Sequence, residues 1–222
     1  MMHPYLIPVK KLFRNYADPV KAPGAKAYMR NQFEFYGFQT PVRRMLTREI
    51  FEQGLPSVDQ LPDIVKDAWL LPQREFQYFA IELVNRLKKD WIPDMIPMIE
   101  EMITEKSWWD SVDNIASLIT GPYFRKFPAQ IKPATLKWNR SDNFWLQRSS
   151  ILFQKAYREK TDTVLLSKYI LHCAGSKEFF IQKAIGWSLR EYAKTDPEWV
   201  LQFVQKHPLA ALSKREALKH LG

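Results

Sequence analysis

The sequence has a single cysteine, Cys173, in 222 residues. No intrachain disulfide can form, and a reducing compartment suits the chain. Only 7 glycines are present. None stands in G-x-G-x-x-G or G-x-x-x-x-G-K-[ST], so neither nucleotide-binding loop is available. No apolar run approaches the length of a membrane span, and no basic stretch followed by an apolar one opens the chain. These absences predict neither a transmembrane helix nor a secretory leader. The four histidines (His3, His172, His207, His220) share no metal-ligand spacing, which disfavours a zinc site. Ser149 and Ser150 have no histidine at helical spacing, so a serine nucleophile is unsupported. Glu75 and Glu82 read as ordinary helix acids, and Met95, Met98 and Met102 as core.

What the sequence has instead is aromatic residues, proline and positive charge. It contains 8 Trp, 14 Phe, 9 Tyr and 15 Pro, with a formal net charge of +9. The charge is unevenly spread: +6 over residues 1–50, −6 over 51–110 and +9 over 111–222. Basic ends around an acidic middle suit a polyanion, nucleic acid first among them. The plainer reading is a solvated basic surface. Hydrophobic residues make up 46%, as in folded chains, and residues 1–222 read as one domain.

Apolar positions recur three and four apart over residues 73–90, 143–158 and 177–194, and no segment alternates as a strand does. The expected class is all-α. Helix-start signals recur at Thr40-Pro41, Pro72, Ser107-x-x-Asp110, Asp142-Asn143, Ser176 and Ser213-x-x-Glu216, 31 to 37 residues apart. Two starts open a similar phrase, Phe144-Trp145-Leu146-Gln147-Arg148 and Phe179-Phe180-Ile181-Gln182-Lys183. A two-helix repeat of about 35 residues describes a curved α-solenoid whose second helices line a concave face. The N-terminal N–H groups of those helices would form a row suited to phosphates. Arg43, Arg44, Lys177, Lys183, Lys214 and Arg215 lie at or just inside the starts, with Phe179 and Phe180, and form the expected DNA-facing set. The alternative is that they merely solvate exposed turns.

The segment Lys106-Ser-Trp-Trp-Asp-Ser-Val-Asp113 is the best candidate for chemistry. On a helix, Trp108, Val112, Ile115, Ala116 and Ile119 form a core stripe. Trp109 and Asp113, four apart, lie beside it on one face. An aromatic plate with a carboxylate one turn away suits a cation. The plainer reading makes Trp109 a rim residue of the core and Asp113 a solvated helix acid. Trp145 and Arg148 share a face, as do Phe180, Lys183, Trp187 and Arg190. If successive second helices pack side by side, Trp109, Asp113, Arg148 and Trp187 converge. Otherwise Trp187 is core and Arg148 pairs with a surface acid. No lysine nucleophile is evident beside them.

These phrases resemble the AlkD-type alkylpurine DNA glycosylases. The likeness is carried by Gly37-Phe-Gln-Thr-Pro-Val-Arg-Arg44, Leu71-Pro-Gln-Arg-Glu-Phe-Gln77, Lys106 to Asp113, Ser141-Asp-Asn-Phe-Trp-Leu-Gln-Arg148, Ser176-Lys-Glu-Phe-Phe-Ile-Gln-Lys-Ala-Ile-Gly-Trp187 and Leu212-Ser-Lys-Arg-Glu-Ala217. They run in order over nearly the whole chain. The resemblance implies HEAT-like helical repeats and excision of N3- or N7-alkylated purines from duplex DNA. It implies Asp113 as the catalytic carboxylate, Trp109 and Trp187 as the aromatics around the lesion's deoxyribose, Arg148 as a cleft arginine near the backbone, and Tyr28 as an aromatic near the lesion. It further implies a monomer with no cofactor, no metal and no obligate protein partner, acting inside the cell on the chromosome without a deep base-flipping pocket. Members carry a longer C-terminal helix than this sequence offers, which places a DNA contact there in question.

The residues fit that chemistry. An alkylated purine is already cationic and leaves readily, so the sugar develops oxocarbenium character. A carboxylate placed beside it supplies electrostatic stabilisation, and indole faces can stabilise a cation. With no evident lysine, a monofunctional glycosylase follows. Two other readings stay open: a non-catalytic solenoid that binds damaged DNA, and a protein-interaction scaffold.

Overall fold

The protein was analysed as a computed structural model that describes residues 2–221. Among these residues the regular structure is helical, and the only strand-like pairing is one isolated bridge between Glu34 and Gln73. The all-α class expected from the apolar spacing is therefore the class found.

Contacts gather into two compact units that meet in sequence between Ile92 and Pro93. The first holds α1 (Leu6–Asn15), α2 (Ala22–Tyr28), α3 (Thr40–Gln53), α4 (Leu61–Leu70) and α5 (Glu75–Arg86). Its core gathers Leu6, Val9 and Phe13 of α1, Leu46 and Ile50 of α3, and Phe76, Phe79 and Leu83 of α5. Phe13 meets Phe38, Phe76 and Phe79 with centroids 5.1 to 6.0 Å apart. These rings supply much of the apolar area buried in this unit.

The second unit holds α6 (Ile96–Thr104), α7 (Trp109–Ile115), α8 (Gly121–Lys126), α9 (Ile131–Asn139), α10 (Phe144–Leu152), α11 (Thr163–Cys173), α12 (Phe179–Tyr192), α13 (Pro197–Lys206) and α14 (Ala211–Ala217). Within it, α7 packs on α6 and α10, α10 on α12, and α12 on α14. Neighbours in space follow the order of the chain, as stacked helix pairs require.

The repeat is real and has a local cause. The helices α3, α5, α7, α10, α12 and α14 begin at residues 40, 75, 109, 144, 179 and 211. The phrases before α10 and α12 make matching hydrogen bonds. Ser141 Oγ accepts from the Asn143 N–H (3.1 Å), and Ser176 Oγ from the Glu178 N–H (3.2 Å). Gln147 Nε2 reaches back to the Ser141 carbonyl (2.8 Å), and Gln182 Nε2 to that of Ser176 (3.1 Å). Each side chain pins the chain entering its helix, as local polar bonds do.

Several expected caps act differently. Ser107 Oγ donates to the Ile103 carbonyl, and the N-cap of α7 is Trp108 in an extended conformation. Ser213 lies inside α14, where its hydroxyl donates to the Gln182 carbonyl at 2.9 Å. In both cases the hydroxyl found a tertiary or upstream carbonyl instead of a helix-end N–H. Asn143 does cap α10, accepting from the Trp145 N–H at 2.9 Å, a bond typically worth about 1 kcal/mol.

Candidate active site

The site is built on three successive helices. Asp113 of α7, Arg148 of α10 and Lys183 of α12 stand 35 residues apart, so they occupy equivalent places on adjacent layers of the stack. Beneath them the expected stripe is core: Val112, Ile115 and Ile119 are fully buried. This stripe fixes the rotation of α7 and leaves Trp109 and Asp113 half-buried beside it. Directly after α7 the chain makes a π turn over Ala116–Thr120, a feature often found next to functional sites.

Asp113 and Arg148 form a two-pronged ion pair. Arg148 Nε donates to Asp113 Oδ1 at 2.7 Å and Nη2 to Oδ2 at 2.9 Å. Arg148 Nη1 donates to the Phe180 carbonyl of α12. One guanidinium therefore ties three layers together. Its side chain is 4% exposed and that of Asp113 is 16% exposed. Parallel donors of this kind fix both the position and the plane of a carboxylate. A carboxylate accepts about four hydrogen bonds, so the pair leaves acceptor capacity on Asp113.

The resemblance implies Arg148 as a cleft arginine near the DNA backbone, and in this structure its guanidinium is engaged within the protein. It is buried, and its donors face Asp113 and a main-chain carbonyl. The reason is its neighbour one layer down: a carboxylate 35 residues earlier is the nearest strong acceptor. The alternative pairing with a surface acid is also not what occurs, because the acid is the half-buried Asp113.

Phe180 is engaged within the protein as well. Its ring packs 4.8 Å from Trp145 and 5.4 Å from Trp108 (centroid distances), within an aromatic cluster that also holds Phe144. What it presents to the site is its carbonyl. Trp108 Nε1 is buried in this cluster without a hydrogen-bond partner, a cost of about 1–3 kcal/mol that the aromatic packing must offset. Phe179, by contrast, is 55% exposed at the start of α12.

Trp187 of α12 is half-buried, and a residue not evident from the sequence covers it. The ammonium of Lys155 lies 3.6 Å from the Trp187 ring centroid. Burial lowers the pKa of Lys155 below the usual lysine range, while the charge of Asp113 acts to raise it. A lysine thus does stand beside the site, contrary to the expectation of none. Its spacing of seven from Arg148 was a usable signal only if α10 ran on to residue 158. The helix instead ends at Leu152, and a turn delivers Lys155.

The basic residues at the helix starts fall into two groups. Arg44, Lys177 and Arg215 are exposed and Lys214 is half-buried. Lys183 and Arg190 both pair with Glu216 of α14, at 2.9 and 2.7 Å. These partners hold the Glu216 carboxyl below its usual range, through the bond from Lys183 first. Glu216 is a clamp between α12 and α14 and not half of a capping box. Gly186 permits the close approach, since a Cβ there would lie 2.5 Å from Glu216 Cβ.

In the first unit, Arg43 pairs with Glu82 and lies over the Tyr78 ring. With Phe38, Gln39, Thr40 and Glu75 it lines an open cleft of about 630 Å³. Glu75 is not an ordinary helix acid. It is 2% exposed and accepts the N–H groups of Gly37 (3.0 Å) and Tyr36 (3.1 Å). Burial raises its pKa and those N–H bonds oppose the rise. Gly37 has φ +95°, and a Cβ would lie 2.4 Å from the Asp18 carbonyl oxygen, so only glycine suits that turn. Tyr28 is 69% exposed at the end of α2.

The family described as DNA alkylation repair enzyme matches residues 9–221. The chain belongs to that family. The match runs through both compact units and includes every site residue named above. Among solved structures, a protein titled as a predicted DNA alkylation repair enzyme from Enterococcus faecalis is similar. It is 32% identical, with a TM-score of 0.86, over 92% of this chain and 96% of that one. No curated protein sequence matches this chain. Membership in this family makes alkylation repair of DNA the role of the chain. Among the described residues no helix is long and apolar enough to cross a membrane, and no group of three or more His, Cys, Asp or Glu side chains could hold a metal ion.

Proposed function

We propose that the protein is a monofunctional DNA glycosylase that hydrolyses the N-glycosidic bond of N3- and N7-alkylated purines in duplex DNA, with Lys155 held on the Trp187 face as a charge and not as a nucleophile. The observation that carries the reading is the Asp113–Arg148 pair, one helical turn from Trp109 on α7 and tied through the Phe180 carbonyl to α12, the helix of Trp187, in a chain of the alkylation repair family. The leaving purine is cationic, so departure needs no strong general acid. As the C1′–N bond breaks, the base leaves with the bonding electrons and becomes neutral, and positive charge moves to the sugar. The Asp113 carboxylate stabilises that charge, and its remaining lone pairs orient the attacking water. Water adds at C1′ and its proton passes to solvent. Trp109 and Trp187 offer π faces to the cationic sugar and restrict access of bulk water.

Arg148 acts by orienting Asp113. Because its donors are engaged, the exposed cations Arg44, Lys177 and Arg215, with Lys214, are the better candidates for the DNA backbone. Phe179 and Tyr28 offer exposed aromatic faces to it. Arg43 and Lys183 hold ion pairs that a phosphate would have to displace. Selection by charge and bond lability needs no enclosed base pocket. The acting species is a monomer without a metal or an organic cofactor, working inside the cell.

The test is single-turnover release of N7-methylguanine from a duplex oligonucleotide, wild type beside Asp113→Asn. Release by the wild type and its loss in the variant, with DNA still bound, is the expected result. DNA binding without release by either protein, across N3- and N7-methylated and bulkier adducts, would make this chain a damage-binding module.

A further inference from the structure

The environment of Lys155 is at odds with a site for a cationic sugar. Its ammonium covers the Trp187 face at 3.6 Å. Asp113 is already paired with Arg148, so Asp113, Arg148 and Lys155 together carry one net positive charge. A developing oxocarbenium ion needs the opposite, an open indole face and a carboxylate with negative charge to spare. As it stands, the cluster better suits an anion.

The turn that carries Lys155 is rigid, while its side chain is weakly held. Tyr157 Oη donates to the Gly121 carbonyl at 2.7 Å, and Arg125 donates to the Ala156 carbonyl. Gln154 exchanges two bonds with the Asp162 backbone, at 2.8 and 3.3 Å. A Cβ on Gly121 would lie 2.7 Å from the Phe153 carbonyl oxygen, so this glycine lets the turn sit against the π turn that follows α7. The Lys155 ammonium, in contrast, has the Trp187 indole as its close partner among the described residues. Asp113 from α7 and Glu191 from α12 attract it, and Arg148 from α10 and Lys194 from the turn after α12 repel it. Among the described residues no carboxylate comes within ion-pair distance. A long flexible stem on a fixed turn, with its head on a π face, is built to move a charge over a few ångströms.

We propose that Lys155 is a phosphate-triggered latch. In the free protein its ammonium rests on Trp187; when duplex DNA binds, it passes to a backbone phosphate, which uncovers the indole and withdraws a positive charge from Asp113. A phosphate attracts an ammonium more strongly than a neutral ring does. The lowered pKa of Lys155 agrees, since burial has cost the ammonium hydration that a phosphate oxygen would replace. Gripping the backbone and arming the site then become one event. The inference rests on the proposed function only in taking duplex DNA as the ligand.

The test uses undamaged duplex DNA, so it does not depend on base release. Affinity is measured against KCl concentration for wild type, Lys155→Gln and Lys155→Arg. Each phosphate contact contributes about 0.9 to the log–log slope. The expected result is a slope shallower by about 0.9 in the glutamine variant and retained in the arginine variant. In parallel, lysines of the wild type are reductively ¹³C-methylated, and the Lys155 signal is assigned by its absence from Lys155→Arg. Stacked on indole, that signal is ring-current shifted, and saturating DNA should return it to the ordinary lysine position. An unchanged slope in Lys155→Gln, or a signal that keeps its ring-current shift with DNA bound, would overturn the latch while leaving the glycosylase reading intact. Normal DNA binding with no base release would do the reverse.

Discussion

Replacing Asp113 by Asn should cost stability as well as activity, and the two losses can be separated. The substitution keeps the size of the side chain and removes its charge. Arg148 then stays 4% exposed, facing one amide oxygen and the Phe180 carbonyl. Breaking a buried pair from one side costs about 3–5 kcal/mol, and the partial exposure of Asp113 puts this case near 3. For a chain of this size about 2–4 °C is lost per kcal/mol, so the melting midpoint should fall by about 6–12 °C. Arg148→Met is milder, because the orphaned Asp113 still reaches water at its exposed edge, and about 1–2 kcal/mol is expected. The double variant removes both charges and should recover part of the loss, with a coupling of about 1–3 kcal/mol. The assay is thermal unfolding of the four proteins, followed by single-turnover base release at a temperature below every midpoint. There, Asp113→Asn should be slower by about 10²- to 10³-fold. An Asp113→Asn midpoint equal to wild type, or strictly additive losses in the double variant, would refute the buried pair. Base release at the wild-type rate in Asp113→Asn would remove the carboxylate from the chemistry.

Gly186→Ala should destabilise by about 1–3 kcal/mol through overpacking, since its Cβ would lie 2.5 Å from Glu216 Cβ and 2.8 Å from the Ser213 carbonyl oxygen; limited proteolysis should show α14 released first. Glu216 titrates below its usual range in the folded state, so its contribution is present above the unfolded carboxyl pKa and is lost as pH falls through the folded one. Glu216→Gln should flatten that acidic limb of a stability-against-pH curve, and an unchanged limb would argue against the clamp. Cys173 is 4% exposed and its thiol is pushed up to about 11 by burial. Iodoacetamide labelling at neutral pH should therefore track unfolding, and rapid labelling of the native protein would contradict that burial.

What the sequence by itself determined is periodic. Spacings of three and four name the helices, and an interval near 35 residues places Asp113, Arg148 and Lys183 on successive layers. Local physics repeats there, as the matching serine and glutamine bonds before α10 and α12 show. The tertiary structure decided which partners the charged groups take. A guanidinium on a helix face reads the same whether it meets a phosphate or a carboxylate 35 residues earlier, and burial made it the carboxylate for Arg148. Glu75, read as an ordinary helix acid, closes a turn through two N–H bonds because Gly37 lets the chain fold over it. Lys155 reaches Trp187 only because α10 stops at Leu152 and Gly121 admits the following turn. Such pairings depend on distances between segments far apart in the chain, and helical periodicity carries no information about them.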